Sequence, residues 1–254
     1  MFKKNENQGK SMDVAILYSG GKDSTLAIEY ALEKNWNIKY LISVKPNRTD
    51  CYLFHFATVE MTQELSKILG YKQFYLACNV ADPEKEANIV KELVEKQQSI
   101  EKVDALVLGG VGLQETQLKS LQKALMPLNV EVFASHAGIL DYRKVMQGML
   151  NKGYRFMITQ VASDGLMQWL GKELTKDNFY LFERDSEKYG FNIIGEGGYY
   201  DSLAFAGPIF RDKQLLIEDI KKIVDDEYCG YIIINKFSIL EGHLIIHTPP
   251  VQSF

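Results

Sequence analysis

The feature that most constrains this chain is a glycine-containing loop near its start, Ser-Gly-Gly-Lys-Asp-Ser at residues 19–24. The loop follows an apolar run at residues 13–18 that is typical of a buried parallel strand. Apolar residues at helical spacing over residues 22–34 predict that a helix begins within the loop. Glycines let backbone N–H groups turn towards an anion, and a helix N-terminus adds partial positive charge. The sequence therefore predicts an anion site between a strand and a helix of an α/β sheet.

The charged side chains of this loop indicate phosphates together with a cation. Lys22 supplies a full positive charge, whereas Asp23 would repel phosphates by itself. The Asp23 carboxylate is therefore predicted to hold Mg²⁺ that bridges the phosphates. The order of residues differs from a Walker A loop, in which Ser or Thr follows the lysine. A tight turn without a ligand is the structural alternative. The predicted phosphate-binding residues are Tyr18, Ser19, Gly20, Gly21, Lys22, Asp23 and Ser24.

Strand-like and helix-like segments alternate through the first half of the chain. Such alternation predicts a parallel sheet with helices on both faces and a ligand site beyond the carboxyl ends of its strands. Strands are predicted at residues 13–18, 37–44, 71–78, 103–108 and 130–134. Helices are predicted at residues 22–34, 56–69, 83–98 and 114–125, with Asp82 capping the third of them.

The alternation fades after about residue 134. Helices are predicted at residues 142–151, 164–170, 176–189 and 215–225, a strand at 154–161, and β-rich runs at 231–235 and 243–247. These patterns predict a flexible tail at residues 1–11, a nucleotide-binding domain at 12–135 and a smaller C-terminal substrate domain at 136–254.

The composition excludes several classes of protein. Of 254 residues, 46% are hydrophobic and 24% are charged, and the net charge of −4 does not favour a nucleic-acid surface. Cys51, Cys78 and Cys229 form no Cys-x-x-Cys pair, so neither a disulfide framework nor an iron–sulfur site is expected. With no apolar run long enough for a signal peptide or membrane helix, a cytoplasmic protein is expected.

The loop at residues 19–24 resembles the pyrophosphate loop of the N-type ATP pyrophosphatases, which adenylate an acceptor and release pyrophosphate. A second stretch, Ile-Gly-Glu-Gly-Gly-Tyr-Tyr-Asp-Ser at residues 194–202, would by itself indicate a turn. Together with the loop, it resembles the Glu-Gly-Gly-Glu-(Phe/Tyr)-Glu-Thr signature of the diphthine–ammonia ligase family. The resemblance runs through most of the chain.

The resemblance implies a fold and a reaction. The fold is a five-stranded, parallel, doubly wound PP-loop sheet followed by a smaller α+β domain. ATP and Mg²⁺ would adenylate a carboxylate on a modified histidine of elongation factor two, and ammonia would then displace AMP to give an amide. Lys22, Asp23 and Glu196 are the catalytic candidates, and no nucleophilic side chain is required. Since no glutaminase segment is recognised, free ammonia or a separate partner is the expected nitrogen source.

Further residues are expected at the ligand site, each with an ordinary structural role as its alternative. Ser43 and Val44 end the second strand, where the superfamily contacts adenine through the backbone. Gly109 and Gly110 follow the fourth strand, where they either let the backbone approach the nucleotide or only make a turn. The predicted substrate-binding residues are His55, Gln117, Gly197, Gly198 and Asp201.

The chain departs from the family pattern in its acceptor half. Tyr199, Asp201 and Ser202 replace the family's second Glu, third Glu and Thr. In the family's Tyr-Gln-Arg-x-Arg stretch, Gln117 is kept but the other positions are Thr116, Leu118 and Ser120. A paralogue with another carboxylate acceptor, or a nucleotide-binding module without catalysis, therefore remains an alternative. Whether the chain forms a homodimer is left open.

Overall fold

The computed structural model describes residues 11–48, 50–51, 53–110 and 115–242. Its first half forms a five-stranded sheet in the order β3-β2-β1-β4-β5. All neighbouring strands in this sheet are parallel, as the alternating pattern predicts. The strands are β1 (Asp13–Leu17), β2 (Asn37–Pro46), β3 (Gln73–Cys78), β4 (Ala105–Leu108) and β5 (Glu131–Ala134).

The helices of this half cover both faces of the sheet. They are α1 (Lys22–Glu33), α2 (Thr62–Leu69), α3 (Pro83–Gln97) and α4 (Glu115–Leu125). Alternate residues of β1 point to opposite faces. Val14 and Ile16 pack in the cluster that includes α1 and α2, whereas Ala15 and Leu17 pack in the cluster that includes α3 and α4. The predicted doubly wound fold is confirmed.

The start of α3 provides a test of one local contribution to stability. Asp82 caps the helix, accepting a hydrogen bond from the Lys85 N–H at 2.9 Å. We expect Asp82→Ala to lower the free energy of unfolding by about 1 kcal/mol, because a helix N–H loses its partner. Glu95→Ala, at an exposed position of the same helix, is the matched control. Equal losses in urea unfolding of the two variants would contradict this role of the cap.

The second half adds an antiparallel sheet in the order β7-β6-β10-β9, with β8 also paired to β6. This architecture is the smaller α+β portion implied by the resemblance. No helix among the described residues is long and apolar enough to cross a membrane. The elements are α5 (Tyr142–Lys152), β6 (Arg155–Ala162), β7 (Glu173–Leu174), α6 (Phe179–Tyr189), β8 (Tyr200–Ala206), β9 (Lys213–Val224) and β10 (Cys229–Glu241).

The two halves share one hydrophobic core. The cluster that contains Val14 and Ile16 of β1 also contains Phe156 of β6 and Leu203 of β8. At the edge of this cluster, the Ala204 N–H donates to the Gly20 carbonyl at 2.8 Å. Strand β8 is thereby fixed beside the loop that follows β1, which places the second glycine-rich stretch next to the first.

The helix predicted at residues 215–225 is wrong, because this segment is strand β9. Ile217, Ile220 and Val224 have a spacing that suits a helix as well as a strand, which explains the prediction. Their β-branched side chains favour a strand, and β9 pairs with β10 along nearly its whole length. This long-range pairing overrides the helical spacing.

Two other helix predictions need correction. The helix predicted from residue 56 begins as an α-helix only at Thr62, after a 3-10 turn at Val59–Met61. Thr58, just before that turn, has a φ of +59°, which a continuous helix cannot contain. Instead of a helix at 164–170, a 3-10 turn occupies Met167–Trp169. The predictions for residues 1–10, Gly112, Gln114 and residues 243–247 lie outside the described residues.

Candidate active site

A cleft lies at the carboxyl ends of β1, β2 and β4, the edge at which parallel sheets bind ligands. Its lining also includes Gly195, Glu196 and Asp201 from the second half of the chain. Most of the predicted site residues line this cleft. The predicted residues that do not line it are Gly20, Ser43 and Gly197.

Hydroxyl groups organise the loop after β1. The Oγ atoms of Ser19 and Ser24 are 3.2 Å apart, and Ser24 Oγ donates to the Gly21 carbonyl at 3.0 Å. Gly20 has a φ of +81°, and Gly21 occupies the N-cap of α1 in an extended conformation. The loop thus turns sharply from the strand into the helix. Its residues that line the cleft include Lys22, Asp23 and Ser24, which lie in the first turn of α1. This geometry suits an anion.

Lys22 and Asp23 form an ion pair at the floor of the cleft. Lys22 Nζ is 2.7 Å from Asp23 Oδ2, and the two side chains are 3% and 28% exposed. Burial lowers the pKa of Lys22, but the negative charge of Asp23, with a further contribution from Glu196, outweighs burial and raises the pKa above its ordinary value. Lys22 therefore keeps its positive charge at neutral pH.

Strand β8 holds this lysine from the other side. The Lys22 N–H donates to Ser202 Oγ at 3.2 Å, and Lys22 Nζ lies 5.0 Å from the centre of the Tyr200 ring. Burial raises the pKa of the Tyr200 hydroxyl, which donates to the Ile193 carbonyl at 2.7 Å. A neutral hydroxyl fixed in this way positions the ring beside the cation. Tyr200 was not predicted as a site residue, although it occupies the (Phe/Tyr) position of the family signature.

Glu196 faces the cleft from the second glycine-rich stretch. Its side chain is buried, and a Cβ atom added to Gly110 would lie 2.7 Å from Glu196 Oε1. The glycines on either side of Glu196 have positive φ angles, +81° at Gly195 and +96° at Gly197. The Gly-Glu-Gly-Gly stretch is thus both a turn and the segment that brings a carboxylate to the pyrophosphate loop.

Gly109 is required by close packing of the backbone. A Cβ atom at this position would lie 2.6 Å from the Asp23 carbonyl oxygen and closer still to the Asp23 carbonyl carbon. Real Cβ atoms do not approach backbone atoms so closely. The end of β4 therefore touches the first turn of α1, where any larger residue would displace Asp23. An approach of the Gly109 backbone to a nucleotide stays a prediction.

The side chain of Ser43 is part of the fold and does not line the cleft. Its hydroxyl donates to the Tyr18 carbonyl at 2.6 Å and accepts a hydrogen bond from Gln73 Nε2 at 2.7 Å. Gln73 Nε2 also contacts Thr62 Oγ1 at 2.8 Å. Val44, the next residue, lines the cleft. The predicted contact of this strand end with adenine would therefore involve Val44 or the backbone.

One wall of the cleft is apolar, and most of its residues were not predicted from the sequence. A surface of this kind suits the flat faces of a nucleobase. Gln117, a predicted substrate-binding residue, also lines the cleft, and its Nε2 donates to the Leu53 carbonyl. The apolar residues are Leu17, Ile42, Val44, Leu53, Phe54, Leu108, Leu118 and Ala134.

His55 and Asp201 meet at the cleft. His55 Nδ1 is 2.8 Å from Asp201 Oδ1, and the two side chains are 30% and 17% exposed. Both were predicted to bind substrate, but their pairing could not be predicted, because they are 146 positions apart in the chain. His136, at the junction of the two halves, does not take part in this pair. Its Nδ1 atom forms a hydrogen bond with Ser135 Oγ at 2.7 Å.

Comparison with known proteins adds to this geometry. The family model described as diphthamide synthase N-terminal domain matches residues 12–128, and the model for the C-terminal domain matches residues 141–240. The chain belongs to the diphthamide synthase family. The curated diphthine–ammonia ligase of Homo sapiens is 26% identical over 92% of this chain and 92% of that protein. The Danio rerio protein of the same name is 24% identical, over 85% and 90% respectively.

Membership of the diphthamide synthase family makes this chain a ligase of an ATP-dependent group. The curated diphthine–ammonia ligase of Bos taurus is also similar, with 26% identity over 94% of this chain and 95% of that protein. Among solved structures, the U34-tRNA thiolase NcsA from Methanococcus maripaludis matches with 17% identity and a TM-score of 0.33. The match covers 58% of this chain and 60% of the thiolase chain. That similarity is too low to inform function.

The substituted positions of the diphthamide synthase signature can now be placed. Ser202, in place of Thr, accepts the hydrogen bond from Lys22 N–H that a threonine hydroxyl could also accept. Asp201, in place of Glu, pairs with His55. Tyr199, in place of Glu, does not line the cleft but packs partly buried against the shared hydrophobic core. Two of the three substituted residues thus make a polar contact.

Proposed function

We propose that this protein cleaves ATP to AMP and pyrophosphate, adenylates a carboxylate and transfers ammonia to give an amide. The acceptor that best fits the family is the diphthine residue of elongation factor two. One observation carries the proposal: Lys22 and Asp23 of the pyrophosphate loop share a cleft with Glu196 of the second signature. Packing of the two halves thereby brings the loop that would bind phosphates next to an acidic turn.

The loop supplies the positive charge and donors for the phosphates. Lys22 is buried and charged, and it lies at the N-terminus of α1, whose partial positive charge favours an anion. In this proposal, these groups neutralise charge that develops on the pyrophosphate leaving group. Stabilisation of this kind is usually the largest contribution to the rate of phosphoryl and acyl transfer. The apolar wall would hold the adenine ring.

Mg²⁺ fits the donors of this cleft. The described residues contain no cluster of three or more His, Cys, Asp or Glu that could hold a metal by themselves. Mg²⁺ bound with a nucleotide commonly takes one or two carboxylates, with phosphate oxygens and waters as its other ligands. Asp23 would be the protein ligand, with Glu196 as a second candidate. When bound, the ion would offset phosphate charge.

A different carboxylate acceptor is the second candidate. Leu118 lines the cleft where the family pattern has an arginine. Leucine in place of arginine removes a positive charge from the lining of the cleft. An acceptor with less negative charge than the family's usual one would suit this surface. The adenylation chemistry is the same for either acceptor.

The proposal is tested by the products formed from ATP. Purified protein with ATP, Mg²⁺, ammonium and diphthine-bearing elongation factor two is expected to yield AMP and pyrophosphate in proportion to the factor added. Glutamine in place of ammonium is expected to support no amide formation. Formation of ADP and phosphate would contradict the proposal. AMP formation with a different carboxylate protein would favour the second candidate.

A further inference from the structure

Two side chains of the cleft are arranged for proton transfer. His55 lies beyond the end of β2 and Asp201 lies on β8, so their contact at 2.8 Å exists only when the two halves of the chain pack. Both line the cleft that contains Lys22 and Asp23. We propose that His55 is the general base that accepts a proton from the nitrogen nucleophile during amide formation, and that Asp201 is its positioning residue. This inference rests on the proposed function.

The hydrogen bond sets the tautomer of the imidazole ring. An ionised Asp201 carboxylate has no hydrogen to donate, so it can only accept a hydrogen bond. A neutral His55 therefore donates through Nδ1 and carries its lone pair on Nε2. The carboxylate is the more shielded partner of the pair, while the ring is more exposed. An imidazole that is held by a carboxylate through one nitrogen is the usual arrangement for moving a proton through the other nitrogen.

The amide-forming step leaves one proton to be placed. The nitrogen of ammonia attacks the acyl carbon of the acyl-adenylate, and the bond between that carbon and the AMP oxygen breaks. AMP leaves with the bonding electron pair, and the nitrogen must lose one proton to become a neutral amide. His55 Nε2 accepts that proton, and the resulting imidazolium is stabilised by the Asp201 carboxylate. The imidazolium then returns the proton to water.

The charges around His55 give the step a defined pH dependence. Burial lowers the pKa of His55, but Asp201, with a further contribution from Asp23, outweighs burial and the opposing charge of Lys22. The pKa is therefore raised, and the base form is lost as the pH falls through a value above that of an ordinary histidine. The rate of amide formation is expected to fall on the acid side in that range. Asp201→Asn removes the charge that raises the pKa of His55. The acid limb, which is the fall in the rate of amide formation at low pH, is therefore expected to move to lower pH.

The test separates the two half-reactions in the full-length protein with its acceptor. ATP–pyrophosphate exchange without ammonium reports adenylation, and amide formation reports the second step. His55→Gln is expected to keep the exchange and to lose about 10²- to 10⁴-fold in amide formation from ammonium. Hydroxylamine is a weaker base than ammonia and is largely unprotonated at neutral pH. Hydroxamate formation is therefore expected to be impaired much less than amide formation.

Variants of Asp201 and a control distinguish a proton-transfer role from a structural one. Asp201→Asn is expected to shift the acid limb, whereas Asp201→Glu, the residue of the family signature, is expected to restore much of the rate. His136→Gln is the matched control, since His136 lies outside the cleft lining. If His55→Gln fails to fold, the contrast between the two Asp201 variants decides.

The outcomes separate this inference from the proposed function. Equal losses with ammonium and hydroxylamine, undiminished amide formation in His55→Gln, or an unmoved acid limb in Asp201→Asn would each overturn the base role alone. Absence of acceptor-dependent exchange in the unaltered protein would overturn the proposed function and the base role together. Retained ATP–pyrophosphate exchange in His55→Gln, with a selective loss of amide formation from ammonium, supports both the proposed function and the base role.

Discussion

Asp23→Asn is expected to lower kcat by about 10³-fold or more, because the substitution removes the carboxylate proposed to hold Mg²⁺. It also removes the negative partner of Lys22, 2.7 Å away on the same turn of α1. Asparagine has nearly the same size and the Asp23 side chain is 28% exposed, so the fold is expected to survive. The measurement is the rate of AMP release with saturating ATP and acceptor.

The control for this variant is Asp219→Asn, the same chemical change at an exposed position of β9. It is expected to leave turnover unchanged. Thermal unfolding of both variants would show whether a loss of rate reflects a loss of structure. Unchanged turnover in Asp23→Asn would end the assignment of this residue as the magnesium ligand.

Gly109→Ala is expected to destabilise the protein by about 3 kcal/mol or more, because the new methyl group would overlap the backbone of Asp23. Neither partner in this overlap is a flexible side chain, so the end of β4 or the first turn of α1 must move. Such a loss is a large part of the stability of a typical domain. Displacement of Asp23 and Ser24 should also weaken ATP binding. Urea unfolding and nucleotide titration measure the two effects.

Gly148→Ala provides the matched control within the same protein. Gly148 lies inside α5, and an added Cβ atom there would have no neighbour within 4 Å. Alanine at this helical position is expected to stabilise the protein by about 0.5–1 kcal/mol. If both glycine variants changed stability by similar amounts, the close contact between β4 and α1 would not be the cause.

The first sheet could be predicted from the sequence because its signals are local. Strands β1 to β4 are each followed by a helix with apolar spacing, and the first strand ends at the glycines of the loop at residues 19–24. The parallel order then follows from general rules of α/β folds. Lys22 and Asp23 were found for the same reason, since loop and helix start are adjacent in the chain.

The second half was harder to predict because long-range contacts decide it. Strand β9 has apolar spacing that suits a helix, and only its pairing with β10 makes it a strand. The contacts of Ser202 with Lys22 and of Asp201 with His55 likewise depend on how the two halves pack. No local sequence pattern around these residues predicts the contacts. The resemblance to the family located Asp201 and Ser202, but only the structure supplied their partners.

The most direct test of the account is conversion of the acceptor itself. Diphthine-bearing elongation factor two would be incubated with this protein, ATP, Mg²⁺ and isotopically labelled ammonium, and its modified histidine examined by mass spectrometry. We expect one labelled nitrogen in place of one carboxylate oxygen, formed only when ATP is present and matched by AMP release. A factor that remains unlabelled while ATP binds would contradict diphthine as the acceptor. Labelling without ATP cleavage to AMP would contradict the adenylation chemistry.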